Sequence, residues 1–314
     1  MPKYLGERKI TCMSKKIIGL KQYIPLYLMM IPCTVYLIIN NYIPMIGIIA
    51  AFKKFRVSEG LLGSPWVGLQ NFEYLFSTND LSIILRNTFL YNIVFIIVNT
   101  VIGILLAILI SDIVSVRLKK LYQSSILLPF TLSMVIVSYI VFAFLSQQNG
   151  MLNNTIFKSN PVQWYNDSTW WPFILVFVNS WKTIGYGTLI YIAGIAAIDK
   201  SLYEASAIDG AGKWKQITNV TLPSLVPSII TLFLLSISRI LYSDFGLFYL
   251  IPMNSGTLYD VTSTIDTYVY RALMAPGGIG RSAATGLLQA VVGLIMILLS
   301  NALVRRFSKN DAIF

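Results

Sequence analysis

Six stretches of the chain, at about 24–51, 85–111, 122–146, 171–198, 223–250 and 284–304, are almost continuously apolar, and the segments between them are polar and patterned. A bilayer core about 30 Å thick needs about 20 mostly apolar residues as a helix. Each run is long enough to span one. The pattern therefore predicts an all-α membrane protein with six transmembrane helices. Its organisation reads as an N-terminal tail 1–23, a six-span unit 24–304 and a tail 305–314. Pro25, Pro32 and Pro44 interrupt the first run, which a packed membrane helix tolerates. Residues 52–84, 147–170 and 251–283 mix Gly and Pro with Trp, Phe and Tyr. They read as folded segments at the membrane interface, either anchoring the spans or receiving an external partner.

Composition agrees. Of 314 residues, 56% are hydrophobic and only 12% charged, with mean hydropathy +0.69, against roughly 25% charged in soluble domains. The net charge of +11 does not call for nucleic acid, because surplus Lys and Arg in membrane proteins decorate cytoplasmic loops. If the N-terminus is inside, fifteen basic residues fall on that side, among them Arg117, Lys200, Lys213 and Arg305, and six on the other. That asymmetry predicts both termini in the cytoplasm. The first run is too long for a secretory signal and lacks a small-residue cleavage site. The chain has no His, and its two cysteines, Cys12 and Cys33, have no metal-ligand spacing. No metal site and no histidine chemistry are expected.

One polar segment, "EASAIDGAGKWKQITNVTLPSL" from Glu204 to Leu225, separates the fourth and fifth runs. Ser201 and Glu204 fit a capping box. Leu202, Ala205, Ser206 and Asp209 follow at helical spacing, and Gly210 falls where a helix C-cap needs a left-handed residue. A second short helix starts near Lys213 and carries Trp214, Ile217 and Val220, and Pro223 opens span five. The loop, about 199–222, is either a capped connector or a docking element whose small residues admit close approach. "GAGKW" is not a phosphate loop: Ala207 replaces its first glycine and Trp214 its Ser/Thr. ATP hydrolysis by this chain is not expected.

The segment resembles the signature loop of the transmembrane subunits of bacterial ABC importers. That pattern runs Glu-Ala-Ala, Asp-Gly-Ala, an aromatic-rich helix and Leu-Pro. Glu204, Ala205, Asp209, Gly210, Ala211, Leu222 and Pro223 match it, with Ser206 for the third Ala, Ile217 for a common Phe and Val220 for a common Ile. "WVGLQNFEYLF", "RNTFLYN", "NSWKTIGYGTLIY" and "IDTYVYR" extend the likeness to the branch of the maltose and glycerol-phosphate permease family that imports complex oligosaccharides. The resemblance covers about Tyr23 to Phe307. It implies a second, related permease, a cytoplasmic ATPase dimer that binds ATP and Mg²⁺, and an external solute-binding protein, with no cofactor in this chain. It also implies that the loop couples ATP hydrolysis to alternating access.

Ionisable residues inside spans are costly and usually functional or paired. Lys182 in span four and Arg239 in span five each lie roughly 25 Å from the loop end of their helix at 1.5 Å per residue. Ser236, Arg239 and Ser243 would share a face bordered by Tyr242, with Asp244 on a different side. Trp181 and Tyr186 flank Lys182. Trp181, Lys182, Tyr186, Arg239, Tyr242 and Asp244 thus form a candidate sugar path, unless Lys182 and Arg239 instead pair with acids or carbonyls of a partner permease. Other open readings are the same machinery carrying an amino acid, polyol phosphate or peptide, and a self-sufficient secondary transporter. The absence of an internal repeat argues against the transporter, and the lack of clustered catalytic groups argues against a membrane enzyme.

Overall fold

The computed structural model describes residues 23–307. The terminal segments 1–22, with Cys12 and the first six basic residues, and 308–314, with Lys309, lie outside the described residues. The described residues are helical, with no strand longer than the isolated bridge between Lys53 and Trp66. Ten helices are used below. They are α1 (Ile24–Phe52), α2 (Gln70–Ser77), α3 (Asp80–Ser111), α4 (Val116–Thr131) and α5 (Met134–Leu145). Then come α6 (Trp171–Ala196), α7 (Lys200–Ile208), α8 (Lys213–Ile237), α9 (Ile265–Met274) and α10 (Ile279–Phe307).

Five of these, α1, α3, α6, α8 and α10, are long and apolar enough to cross a membrane, and the pair α4 and α5 makes a sixth span if taken as one. Six spans are therefore present, but two of the expected straight ones are broken. Span three bends by 93° between α4 and α5. Pro129 lies in the last turn of α4, and Ser133, in extended conformation, caps α5 by accepting the Ile136 N–H. Proline and a capping serine in succession end one helix and start another. Span five, expected over 223–250, stops as a regular helix at Ile237. It passes through turns at 238–244 and resumes as one π-helical turn, Gly246–Leu250. The last span begins at Ile279, earlier than expected, and continues to Phe307, into the expected tail.

The core is built on α3 and α6. Tyr91 and Phe95 of α3, Trp171, Leu175 and Val178 of α6, and Leu247, Phe248 and Ile251 beyond the span-five break form one buried cluster. A second joins Leu75, Ile84, Ile240, Leu241 and Ile265. Gly185 lets α4 pack on α6: a Cβ there would come 2.0 Å from the Ile126 carbonyl oxygen, so only the smallest residue permits this close backbone approach. By contrast α1 buries nothing from its start to Ile48, and only Ala50 and Ala51 at its far end are buried.

The long segments at the end opposite α7 are folded as expected, but their aromatic residues do not all sit at an interface. Trp171 is fully buried and donates its indole N–H to the Trp164 carbonyl at 2.6 Å, and buried Trp164 donates to Asn153 Oδ1 at 3.1 Å. Lys53 is also buried, its ammonium bonded to the carbonyls of Leu61 and Leu62.

Candidate functional site

Two features stand out, a rigid polar loop at one end of the bundle and a polar cavity along its side.

The loop is α7, its turn and the first part of α8. The Ser201–Glu204 capping box does not form. Asp199 takes the N-cap instead, its Oδ1 accepting the Ser201 N–H at 2.9 Å. Starting the helix at Lys200 places Ser201 inside the first turn, where its N–H needs an acceptor. Those contacts with Ser201, chiefly its backbone N–H, hold the Asp199 carboxyl below the usual range. Glu204 is consequently exposed, with no partner among the described residues. The C-terminus is as expected. Gly210 is left-handed, with φ +73°. Its N–H reaches the Ala207 carbonyl at 3.0 Å and the Ala211 N–H reaches the Ser206 carbonyl at 2.9 Å. That pair of bonds is a Schellman motif.

The second short helix is not separate from span five. Lys213–Ile237 is one continuous helix through a π-helical turn at Ile217–Thr221, in which the Leu222 N–H bonds to the Ile217 carbonyl. The widened turn accommodates Pro223, which lacks an N–H and would otherwise sit mid-helix. Gln216 Nε2 donates to Ser206 Oγ at 3.2 Å and the Tyr203 hydroxyl lies 2.9 Å from Thr221 Oγ1. The Lys213 ammonium meets Asp112 Oδ1 at 2.7 Å, tying the loop to the end of α3. Glu204, Ala205, Asp209 and Gly210 lie on the exposed side, Ser206 and Ala211 are half-buried, and Ile208 and Trp214 stand out at 87% and 75% exposure.

The cavity, about 590 Å³, lies between α3, α6, α8 and the span-five break. Of the six path residues expected from the sequence, it brings together Tyr186, Arg239, Tyr242 and Asp244. Lys182 is elsewhere. Its ammonium donates to the carbonyls of Pro129, Phe130 and Leu132, filling the gap where α4 ends. It is thus paired with carbonyls of its own chain at the break in span three, where the Pro129 carbonyl also accepts the Leu132 N–H at 3.2 Å and helix-end carbonyls need donors from outside the helix. Trp181 lines an apolar groove with Phe144, Phe173 and Phe177 instead. One turn of α6 places Tyr186 on Phe130, rings 5.3 Å apart and nearly parallel.

Ser236 lies in α8 but Arg239 and Ser243 lie beyond its end at Ile237, and Asp244, expected on a different side, lines the same cavity. The expected shared face is therefore replaced by a loop. Its geometry is enforced by polar side chains that sequence reasoning missed. Asn92 Nδ2 donates to the carbonyls of Ile240 and Tyr242, and Gln289 Nε2 to that of Leu241. Asp266 Oδ2 accepts the Ser243 N–H at 2.6 Å and its hydroxyl at 2.8 Å, while Oδ1 accepts from Gln289. Every carbonyl from Ile240 to Tyr242 therefore has a donor, as non-helical backbone at membrane depth requires. Asp244 Oδ1 accepts the Leu247 N–H at 3.1 Å and starts the next turn. On the opposite wall Asn99 Nδ2 reaches Asn179 Oδ1 and Thr183 Oγ1. A signal was present: Asn92 and Asn99 are seven apart and Asn179 and Thr183 four apart in apolar runs, spacings that put amides on one helix face.

The chain matches the family model for the binding-protein-dependent transport system inner membrane component over residues 99–309. It is 35% identical over 299 residues to the polygalacturonan/rhamnogalacturonan transport system permease protein YteP of Bacillus subtilis (strain 168), covering 95% of this chain and 92% of that protein. Among solved structures it is similar to a bacterial ABC transporter involved in the import of the acidic polysaccharide alginate. The TM-score is 0.83 with 31% identity, over 94% of this chain and 99% of that one. It is similarly close to a chain of the bacterial alginate ABC transporter in complex with its alginate pentasaccharide-bound periplasmic protein, with TM-score 0.82 and 31% identity, over 93% and 97% of the two chains.

Proposed function

From a chain that belongs to the binding-protein-dependent transport system inner membrane components, we propose the following working assembly. The protein is the permease subunit of an ATP-driven oligosaccharide importer and forms half of the translocation path. An external solute-binding protein delivers the sugar. A second, homologous permease supplies the other half, and a cytoplasmic ATPase dimer, holding ATP and Mg²⁺, drives the cycle. Both termini face the cytoplasm, on the side that carries the excess of Lys and Arg.

The observation that carries this reading is the α7–α8 unit. A Schellman turn, the Gln216 and Tyr203 bonds and the unbroken run from Lys213 into span five make it a rigid lever joined to a membrane helix. Glu204, Ala205, Ser206, Asp209, Gly210 and Ala211 form its docking end, and Leu222 and Pro223 begin the regular segment of the span. ATP can shift the equilibrium between inward- and outward-open states only by binding one of them better. A lever seated in the ATPase transmits that preference, since α8 ends at the loop that carries Arg239, Tyr242 and Asp244. Those residues, with Tyr186, line the substrate path. The likeness to permeases of polygalacturonan/rhamnogalacturonan and alginate transport supports a saccharide cargo. The nearly all-exposed apolar surface of α1 fits contact with a second permease as well as lipid.

The test is recovery of the tagged chain from its native membrane in mild detergent, with mass spectrometry of what accompanies it. The expected result is a second six-span permease and an ATPase. Recovery of the chain alone, still transporting without ATP, would instead establish a self-sufficient transporter.

A further inference from the structure

Of the cations in or beside the spans, most are consumed by the fold. Lys182 is held by three carbonyls. Arg86 donates to the Asp260 carbonyl and to Asn87. Arg271 donates to Ser263 and Thr267 and lies over the Tyr259 ring at 4.1 Å. Arg239 is different. It lines the cavity, and among the described residues its guanidinium has no hydrogen bond, ion pair or ring contact. The acids nearby in sequence are already engaged: Asp244 caps the turn at Leu247, and Asp266 holds Ser243 and Gln289.

We propose that Arg239 is the specificity-determining residue of the path, receiving a carboxylate of the cargo, so that the chain selects acidic oligosaccharides built of uronate-type sugars. The proposal rests on the importer reading above and deepens it. The Arg239 side chain is exposed to the cavity rather than buried in the fold, so it is free to meet a carboxylate, which it attracts where it does not attract a neutral sugar. A guanidinium presents a planar fork that matches a carboxylate with two parallel hydrogen bonds. Tyr242 and Tyr186, the latter with one ring face on Phe130, line the same cavity, and the linked Asn99, Asn179 and Thr183 make its opposite wall polar. At about 590 Å³ it has room for only a few sugar rings, so an oligosaccharide would thread it in sections, each uronate passing the same guanidinium.

The experiment uses the intact importer in cells or proteoliposomes and a matched cargo pair: a galacturonate tetrasaccharide and the same chain with its carboxyls reduced to the neutral sugar. Wild type and variants share one binding protein, so a change in the acid-to-neutral uptake ratio reports the permease. Arg239→Gln is expected to lower that ratio about tenfold, because the acidic chain loses a bidentate charged contact that the neutral chain never makes. Arg239→Lys, which keeps the charge but not the fork, should recover part of it and guards against a glutamine variant that does not assemble. An unchanged ratio, or equal loss of both sugars in Arg239→Gln and Arg239→Lys, overturns the proposal and returns Arg239 to a contact within the assembly. Wild type carrying the neutral chain in preference also overturns it while leaving the oligosaccharide importer intact. Wild type carrying neither sugar, though partnered with an ATPase, overturns the oligosaccharide reading as well as the proposal.

Discussion

At the scale of single residues, a cation inside a membrane protein is explained by what it touches. Lys182 and Arg239 are equivalent by sequence position, yet one is a helix cap and the other faces a cavity. Lys182 supplies donors where α4 ends, reaching the carbonyls of Phe130 and Leu132 and adding to the Leu132 N–H on that of Pro129. Lys182→Met keeps the apolar stem and removes the donor. Leaving acceptors unsatisfied costs about 1–3 kcal/mol, so the purified complex should unfold at a lower temperature. Lys182→Arg should restore most of the loss; equal stability of wild type and Lys182→Met would show that the carbonyls find other donors.

At the scale of an element, α7 is a helix with both ends defined. Gly210 has φ +73°, and nothing lies within 4 Å of where a Cβ would be, so a side chain meets strain in the backbone rather than a clash. Gly210→Val at a left-handed position costs about 1–3 kcal/mol. The expected outcome is uptake lost, ATP hydrolysis retained and the spans still folded, whereas Gly210→Asn, tolerant of that conformation, keeps transport. Normal uptake by Gly210→Val would remove Gly210 from the docking end. The N-terminus responds to pH. Because Ser201 holds the Asp199 carboxyl below its ordinary value near 3.8, the cap is fully present above that value and is lost as pH falls through the lowered one. Amide protection of peptide 199–212 by hydrogen exchange should be constant from neutral pH to about 4.5 and fall only below about 4, where ordinary carboxyls titrate. Asp199→Ala should lower it at every pH.

At the scale of the whole molecule, the span-five break is held from three directions, by Asn92 of α3, Asp266 of α9 and Gln289 of α10. These helices are brought together by tertiary packing, so the loop that carries Arg239 exists only in the folded bundle. Asp266 and Gln289 share a hydrogen bond. Their alanine substitutions should therefore be non-additive by about 0.5–3 kcal/mol in a double-mutant cycle. Simple additivity would mean that each acts on the break alone.

The number of spans, the helical class and the place of the capped polar loop between spans four and five are legible in the chain because each follows from local physics. Twenty apolar residues cross a bilayer whatever surrounds them, and a glycine three residues before a lysine-tryptophan turn ends a helix by its own backbone freedom. The Asp199 cap was within reach of the same reasoning, being a better acceptor immediately before the first turn. What the chain did not disclose is where long spans break and which polar residues meet. Pro129 and Ser133 mark the bend only once Lys182, some fifty residues on, satisfies the carbonyls they release. The turns at 238–244 carry no proline at all and are stable because amides and a carboxylate from distant helices supply the missing donors and acceptors. The sequence alone therefore determined that this is a six-span membrane protein with a capped polar loop between its fourth and fifth spans. Only the tertiary structure decided that Lys182 is consumed by the fold and Arg239 is left facing the cavity, because hydrogen bonds between helices far apart in sequence settle which charges are spent.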